Sequence, residues 1–332
     1  MNRLQRLLPG LGVLLSLGFL ARAITVFAPI GSHLIVVIGL GVIITNSVGV
    51  PDWAKPGVET HSLLLAAGIV LMGATVGLDQ IVDAGGTVLL VVGTTVCVTV
   101  VTVETLSREI FDIPEKIGSL LAVGSSICGV SAVAAVAGSI KPDQQDIAYA
   151  VATVLLFDAV TLAAYPMIGR VLGLSDVVFG IWAGATMFST GPVTAAGFAH
   201  SEVAGEWAVL VKLTRNALIG VIAIGYALYY ARRGGAEATI ESKPVYLWRT
   251  FPKFILGFVL MMVLGSVGVF SNAQTTAFDT ASTWLFLVAF AGLGLSIDVR
   301  EFRDMGIKPV GVVLTSLLLV STVVLLVLLT VF

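Results

Sequence analysis

Three charged side chains fall where charge is costly. Asp158 lies about 12 residues into an apolar stretch that begins near residue 146, roughly 18 Å along a helix rising about 1.5 Å per residue. Lys212 and Arg215 lie about 7 and 10 residues into the stretch 205–231, roughly 10 and 15 Å from its start. Being three apart, the two bases share one helix face. Ionisable groups at bilayer depth are expensive and mark substrate or ion pathways. Two cations on one face suit an anion, because a guanidinium grips oxyanion oxygens in a fork and an ammonium adds a point charge. Asp158 is the candidate for ion coupling, as a carboxyl that takes up and releases a proton. A second reading stands beside this one: Asp158 pairs with Lys212 or Arg215 and ties helices together with no substrate involved.

The elements that would position these charges are interrupted. Residues 117–140 read IGSLLAVGSSICGVSAVAAVAGSI, long enough to cross a bilayer yet broken in the middle by Gly124, Ser125, Ser126, Cys128, Gly129 and Ser131. Glycine frees the backbone and serine hydroxyls compete for it, so two short helices joined by an unwound bend are expected. Unwound backbone at that depth survives only where protein or a watery cavity satisfies it, and such a break points to a transporter's binding site. The alternative is a small-residue face on which another helix packs. Ser189, Thr190, Gly191 and Pro192 interrupt 177–199 at comparable depth. The substrate-binding candidates are therefore Ser125, Ser126, Cys128, Gly129, Ser131, Ser189, Thr190, Lys212 and Arg215, where the first turn of a half-helix adds N–H donors for an anion.

Composition agrees with a chain that lives in lipid. Of 332 residues 57% are hydrophobic and 11% charged, and the mean hydropathy is +1.04, which excludes a soluble globule and predicts an all-α polytopic membrane protein. A net charge of -2 with no basic run gives no reason to expect nucleic acid. Cys97 and Cys128 both fall inside apolar segments and are expected buried and free. His33, His61 and His200 are scattered, so no metal site or other cofactor is expected. There is no G-x-x-x-x-G-K-[ST] for a pump and no G-x-S-x-G for a hydrolase, so an enzyme is not expected. A channel needs a continuous polar lining, whereas the polar groups here cluster at one depth.

Apolar windows of roughly 20 residues predict eleven transmembrane segments, at about 7–28, 31–49, 62–79, 84–105, 117–140, 146–168, 177–199, 205–231, 251–271, 278–297 and 308–331. Arg3 and Arg6 before LLPGLGVLLSLGFL imitate a cleavable signal, but the apolar run continues to Ile30 and Arg22 interrupts the would-be cleavage motif, so a retained first helix is expected. On this map fourteen of the eighteen Lys and Arg share the side of the N-terminus, Arg22 and Lys141 fall on the other, and Lys212 and Arg215 lie within a segment. That bias predicts a cytoplasmic N-terminus and an external C-terminus in the cell membrane. Making both 117–140 and 177–199 re-entrant preserves the count.

One transmembrane domain over 1–332 is expected, with an extra N-terminal helix at 1–30, repeat units at 31–168 and 177–331, and a cytoplasmic loop at 232–250. Two echoes support duplication: Gly73–Gly85 with Ala291–Gly306, and CGVSAVAAVA (Cys128–Ala137) with TGPVTAAGFA (Thr190–Ala199). The two do not align in one register. Gly180 and Gly184 form a GxxxG spacing that fits either a homodimer or packing within the chain.

Four stretches together resemble a known family: SSICGVSAVAAVAGSIKPDQQDIAYAVATVLLF (Ser125–Phe157), AGATMF…TAAGFA (Ala183–Ala199), VKLTR (Val211–Arg215) and GLGLSIDVREFRDMG (Gly292–Gly306). They look like the YeiH-type family, which carries the label sulfate exporter and is placed by similarity in the bile acid/arsenite/riboflavin transporter superfamily. The resemblance implies inverted five-helix repeats, crossing discontinuous helices, and separate core and panel domains. It departs in one place. Where many relatives look like M-H-(acidic)-x-A-Q-V, this chain has Met187-Phe188-Ser189-Thr190-Gly191-Pro192-Val193, while Asp158 stands where relatives usually carry glycine. Either the ionisable coupling group has moved from one segment to the other, or the substrate or driving ion has changed.

The reading that results is a secondary transporter of a small anion such as sulfate, sulfite or an organosulfonate, working by alternating access coupled to H⁺ or Na⁺. Its partners are the bilayer and that solute. An anion channel, or a carrier of a neutral or organic solute whose buried charges are structural, is the alternative.

Overall fold

The computed structural model describes residues 3–27, 33–76, 78–232, 248, 251–302 and 306–331, and all regular structure among them is helical. Each of the eleven apolar windows contains some helix among the described residues. Among the described residues six helical stretches are long and apolar enough to cross a membrane: Arg6–Phe27, Gly85–Ile110, Gln144–Val171, Glu202–Arg232, Asn272–Leu295 and Ile307–Val331. The windows at 31–49, 62–79 and 251–271 form helices of only 15, 12 and 13 residues, short of the roughly 20 that a hydrocarbon core asks for. Those at 117–140 and 177–199 are broken pairs. The expected loop 232–250 lies outside the described residues apart from Arg232 and Trp248.

The chain separates into two compact units, residues 1–85 with 253–300 and residues 86–252 with 301–332. In the first unit lie α1 (Arg3–Phe27), α2 (His33–Ser47), the single turn α3 (Lys55–Val58), α4 (His61–Met72), α13 (Phe254–Ser266) and α14 (Asn272–Leu295). A capping box of Ser271 and Gln274 starts α14, which packs on α4 and α2. Two polar side chains of α2 serve its far end. Thr45 donates to Leu295 O at 2.7 Å, and Asn46 donates to Ile297 O and accepts the Val299 N–H, both at 2.8 Å. These groups answer carbonyls at and just past the end of α14 and the N–H that opens the 3-10 turn Val299–Phe302.

The boundary between the units falls within α5 (Leu78–Thr105), which runs on through a π-helical turn at Leu106–Ile110. The second unit continues with α6 (Glu115–Ser126), α7 (Val130–Ile140), α8 (Gln144–Val171), α9 (Asp176–Thr186), α10 (Thr190–His200), α11 (Glu202–Ala217), α12 (Ile219–Arg232) and α15 (Ile307–Val331). Its core is the stack of α9 and α10 on α11, with α8, α6 and α15 around it. A Cβ on Gly180 would stand 2.6 Å from Ala204 O, and one on Gly184 would stand 2.7 Å from Ala208 O. The GxxxG spacing therefore brings α9 against α11 inside the chain. Of the two cysteines Cys128 is buried as expected; Cys97 is exposed instead, on the outward side of α5.

Candidate functional site

Both interrupted segments unwind at their centres. The chain leaves α6 at Ser126 and enters α7 at Val130, turning at Ile127 (φ -113°, ψ -86°) and Gly129 (φ +71°, ψ -132°). A positive φ of that kind asks for glycine, and a Cβ at Gly129 would also collide with the Ser189 hydroxyl. The bend thus sits at Ile127–Gly129, in the middle of the expected interruption, while Gly124 to Ser126 remain helical. In the other segment α9 ends at Thr186, Met187 and Ser189 are extended (ψ 162° and 152°), and α10 starts at Thr190. Pro192 is the third residue of α10, in the first turn, where a missing N–H breaks no helical bond. The contact of Gly129 with Ser189 puts the two bends side by side. In the sequence echo Gly129 matches Gly191; in the fold its counterpart is Ser189, two residues earlier.

Lys212 and Arg215 reach into this crossing from α11 and are buried, at 0% and 1% exposure. The Lys212 ammonium donates to Ile127 O at 2.7 Å, to Met187 O at 3.2 Å, and to Phe188 O. The Arg215 guanidinium donates through Nε to Ser126 O at 3.1 Å and through Nη2 to Ser125 O at 3.1 Å and Ser126 O at 2.8 Å. Its Nη1 donates to Gly184 O at 2.9 Å and Met187 O at 2.7 Å. An ammonium has three donors and a guanidinium five, so each is fully engaged. Every acceptor is a backbone carbonyl at or just past the C-terminal end of α6 or α9, where helix carbonyls lack partners and the dipole is negative. The two bases clasp both half-helices by these ends.

Asp158 (α8) approaches from the opposite polarity. Its Oδ1 accepts the Ser189 backbone N–H at 2.8 Å, at the N-terminal end of α10, where a carboxylate is favoured. Among the described residues it forms no ion pair with Lys212 or Arg215 within 4.0 Å. Its carboxylate lies on the backbone of Ser189, the position at which the sequence resemblance implies an acidic residue in relatives.

The remaining candidates divide. Ser125, Ser126, Cys128 and Gly129 are buried at the crossing, the first two through their carbonyls. Thr190 accepts a hydrogen bond from Asn216 at 3.0 Å, which joins α10 to α11. Ser131 is exposed in the first turn of α7, with its hydroxyl beside the buried Cys128 thiol. A small cavity of about 10 Å³ beside the crossing is lined by Thr99, Ser125, Thr186, Phe188, Ser316 and Ser321 among others, room for about one water. The Ser125 and Ser316 hydroxyls are buried there without a hydrogen-bond partner among the described residues. Ser316 was not singled out in the sequence, since nothing in the apolar run of α15 sets it apart.

A second polar cluster was also missed. Glu104 accepts hydrogen bonds from Arg108 at 2.8 Å, Ser119 at 2.8 Å and Tyr226 at 2.7 Å. Arg108 pairs with Glu115 at 2.9 Å, and Tyr229 bonds both Arg108 and Glu115. Helices α5, α6 and α12 are joined there. The i, i+4 spacing of Glu104 and Arg108 was the available signal.

The family model described as "Conserved hypothetical protein 698" matches residues 9–313. A UPF0324 membrane protein of Nitratidesulfovibrio vulgaris is 32% identical over 278 residues, covering 82% of this chain and 77% of the relative. A UPF0324 membrane protein of Bacillus cereus is 31% identical over 304 residues, covering 90% and 87%, and one of Clostridium tetani is 30% identical over 259 residues, covering 75% of each. No solved structure matches the chain. With its apolar helices and this similarity over most of its length, the chain is a multi-pass membrane protein and belongs to the UPF0324 family.

Proposed function

We propose that the protein is a secondary transporter of a small anion, with its binding centre at the crossing of the two broken helices. The observation that carries this reading is the charge collected there. Lys212 and Arg215 bring two positive charges and Asp158 one negative. Two half-helix C-termini and two N-termini contribute roughly half a charge each and offset one another. About one positive charge is left over in an apolar interior, and an anion would neutralise it. Both bases are saturated by carbonyls, so they set the field and hold the half-helices while the anion meets the first turns of α7 and α10 and the hydroxyls around Ser125.

Protonating Asp158 would raise the centre to about two positive charges and release the Ser189 N–H, which links anion binding to proton uptake. The resemblance to the YeiH-type family favours sulfate, sulfite or an organosulfonate as the solute. The charge bias favours a cell-membrane protein with its N-terminus in the cytoplasm and its C-terminus outside. A second reading has its own support: the complete use of all donors on Lys212 and Arg215 fits a purely structural clasp in a carrier of neutral solutes.

Proteoliposome flux separates these readings. Saturable uptake of one anion, lost in Lys212→Ala and Arg215→Ala variants that still fold, supports the proposal. Uptake of neutral solutes only, or anion flux that those variants leave intact, overturns it, and an ohmic anion current points to a channel.

A further inference from the structure

We infer that Lys212 and Arg215 are built-in replacements for coupling cations, so that the crossing operates without sodium. Broken helices in secondary transporters commonly coordinate Na⁺ with unwound backbone carbonyls and half-helix C-terminal ends. This crossing contains just such carbonyls, and side chains fill the positions. The oxygens of Ile127, Met187 and Phe188 converge on a single point, the Lys212 Nζ. Those of Ser125, Ser126, Gly184 and Met187 surround the Arg215 guanidinium. Met187 O belongs to both cages.

The ligand set is that of a metal-ion site rather than of a salt bridge. The acceptors are neutral oxygens drawn from two separate chain bends, and neither base forms an ion pair with a carboxylate among the described residues. A sodium or potassium ion placed among the same oxygens would offset the same C-terminal dipoles. Because the resident charges are covalently attached, they cannot be carried across, and the exchangeable charge at the crossing is left to the Asp158 carboxyl and the anion.

This inference rests on the proposed transport centre for its consequence in transport, but the cage can be tested without flux. Thermal unfolding of the purified protein would be followed at constant ionic strength in sodium, potassium, ammonium, methylammonium and tetramethylammonium chlorides. The parent should melt at one temperature in all of them. Lys212→Ala should melt lower and recover in ammonium or methylammonium, with a saturating rise in Tm that tetramethylammonium, too large for the vacated space, does not give. Sodium-specific stabilisation of the parent overturns the inference, as does a folded Lys212→Ala with no response to small cations. The parent series decides even where Lys212→Ala yields no folded protein.

Repeating the parent series with anions as sodium and as choline salts separates the two ideas. An anion that stabilises only in sodium sinks the cage inference and leaves the transport centre standing. If no anion stabilises in either salt, the transport reading falls while the cation response of Lys212→Ala still reports on the cage.

Discussion

The carboxylate of Asp158 accepts the backbone N–H of Ser189 at 2.8 Å, so a side chain of α8 supplies the anion at the head of α10. This contact predicts a pH dependence with a definite sign. Deprotonated Asp158 leaves the crossing near one positive charge and protonated Asp158 near two, so anion binding by the parent should strengthen as pH falls. Asp158→Asn fixes the protonated charge while retaining an oxygen for the Ser189 N–H. It should cost no more than about 1 kcal/mol in stability and bind the anion with a flat pH profile. Asp158→Ala strands that N–H and should cost about 1–3 kcal/mol. Melting temperatures and anion-dependent stabilisation between acid and neutral pH are the measurements, and a pH slope that persists in Asp158→Asn removes Asp158 from the coupling role.

Gly129 is held by two separate constraints, and they can be told apart. Its φ of +71° with ψ of -132° is a glycine conformation, worth about 1–3 kcal/mol to a residue with a Cβ. The Ser189 hydroxyl occupies the space a Cβ would need. Gly129→Ala should therefore destabilise by more than the backbone part alone, and adding Ser189→Gly should restore only the steric part. A double-mutant cycle on Tm measures the difference; full recovery in the double variant would show that the backbone conformation is not constrained.

The parts of this architecture legible in the sequence are those that depend on composition and local chemistry. Glycine and serine at 124–131, and Ser189 to Pro192, marked both interruptions to within a few residues, because backbone freedom is a property of the residue itself. The depth of Asp158, Lys212 and Arg215 followed from counting along a helix. What those side chains touch did not. The acceptors of both bases are main-chain carbonyls of Ser125, Ser126, Ile127, Gly184, Met187 and Phe188, and any residue carries such a group. For the same reason Asp158 was weighed as a salt-bridge partner, whereas it bonds a backbone N–H. Ser131, one of several serines near a bend, is exposed while its neighbour Cys128 is buried, a difference that residue type alone does not give.

The Glu104 cluster offers a control away from the crossing. Glu104 takes three side-chain hydrogen bonds and is only 17% exposed at its side chain. Glu104→Gln keeps an acceptor but removes the charge opposing Arg108, at an expected cost of about 1–3 kcal/mol. Because the network ties α5, α6 and α12 together and touches none of the residues at the bends, anion-dependent stabilisation should be unchanged in this variant. A loss of that response with the fold intact would mean that the cluster belongs to the transport path.

Arg215 tests whether shape or charge holds the half-helices together. Its planar fork reaches four carbonyls on two chain bends at once. A lysine keeps the charge but offers three donors from one point on a flexible stem. Arg215→Lys should therefore leave at least one buried carbonyl without its partner and lower stability by about 1–3 kcal/mol. Arg215→Met removes the charge as well and exposes the ends of α6 and α9 to each other's negative dipoles, so it should cost about 3–5 kcal/mol. Hydrogen exchange localises the effect: faster exchange at Ile127 to Gly129 and Met187 to Ser189 in both variants, with α12 and α15 unaltered, is the expected pattern. Equal stability of Arg215→Lys and the parent would show that charge alone suffices, and the fork geometry would then have no part in closing the crossing.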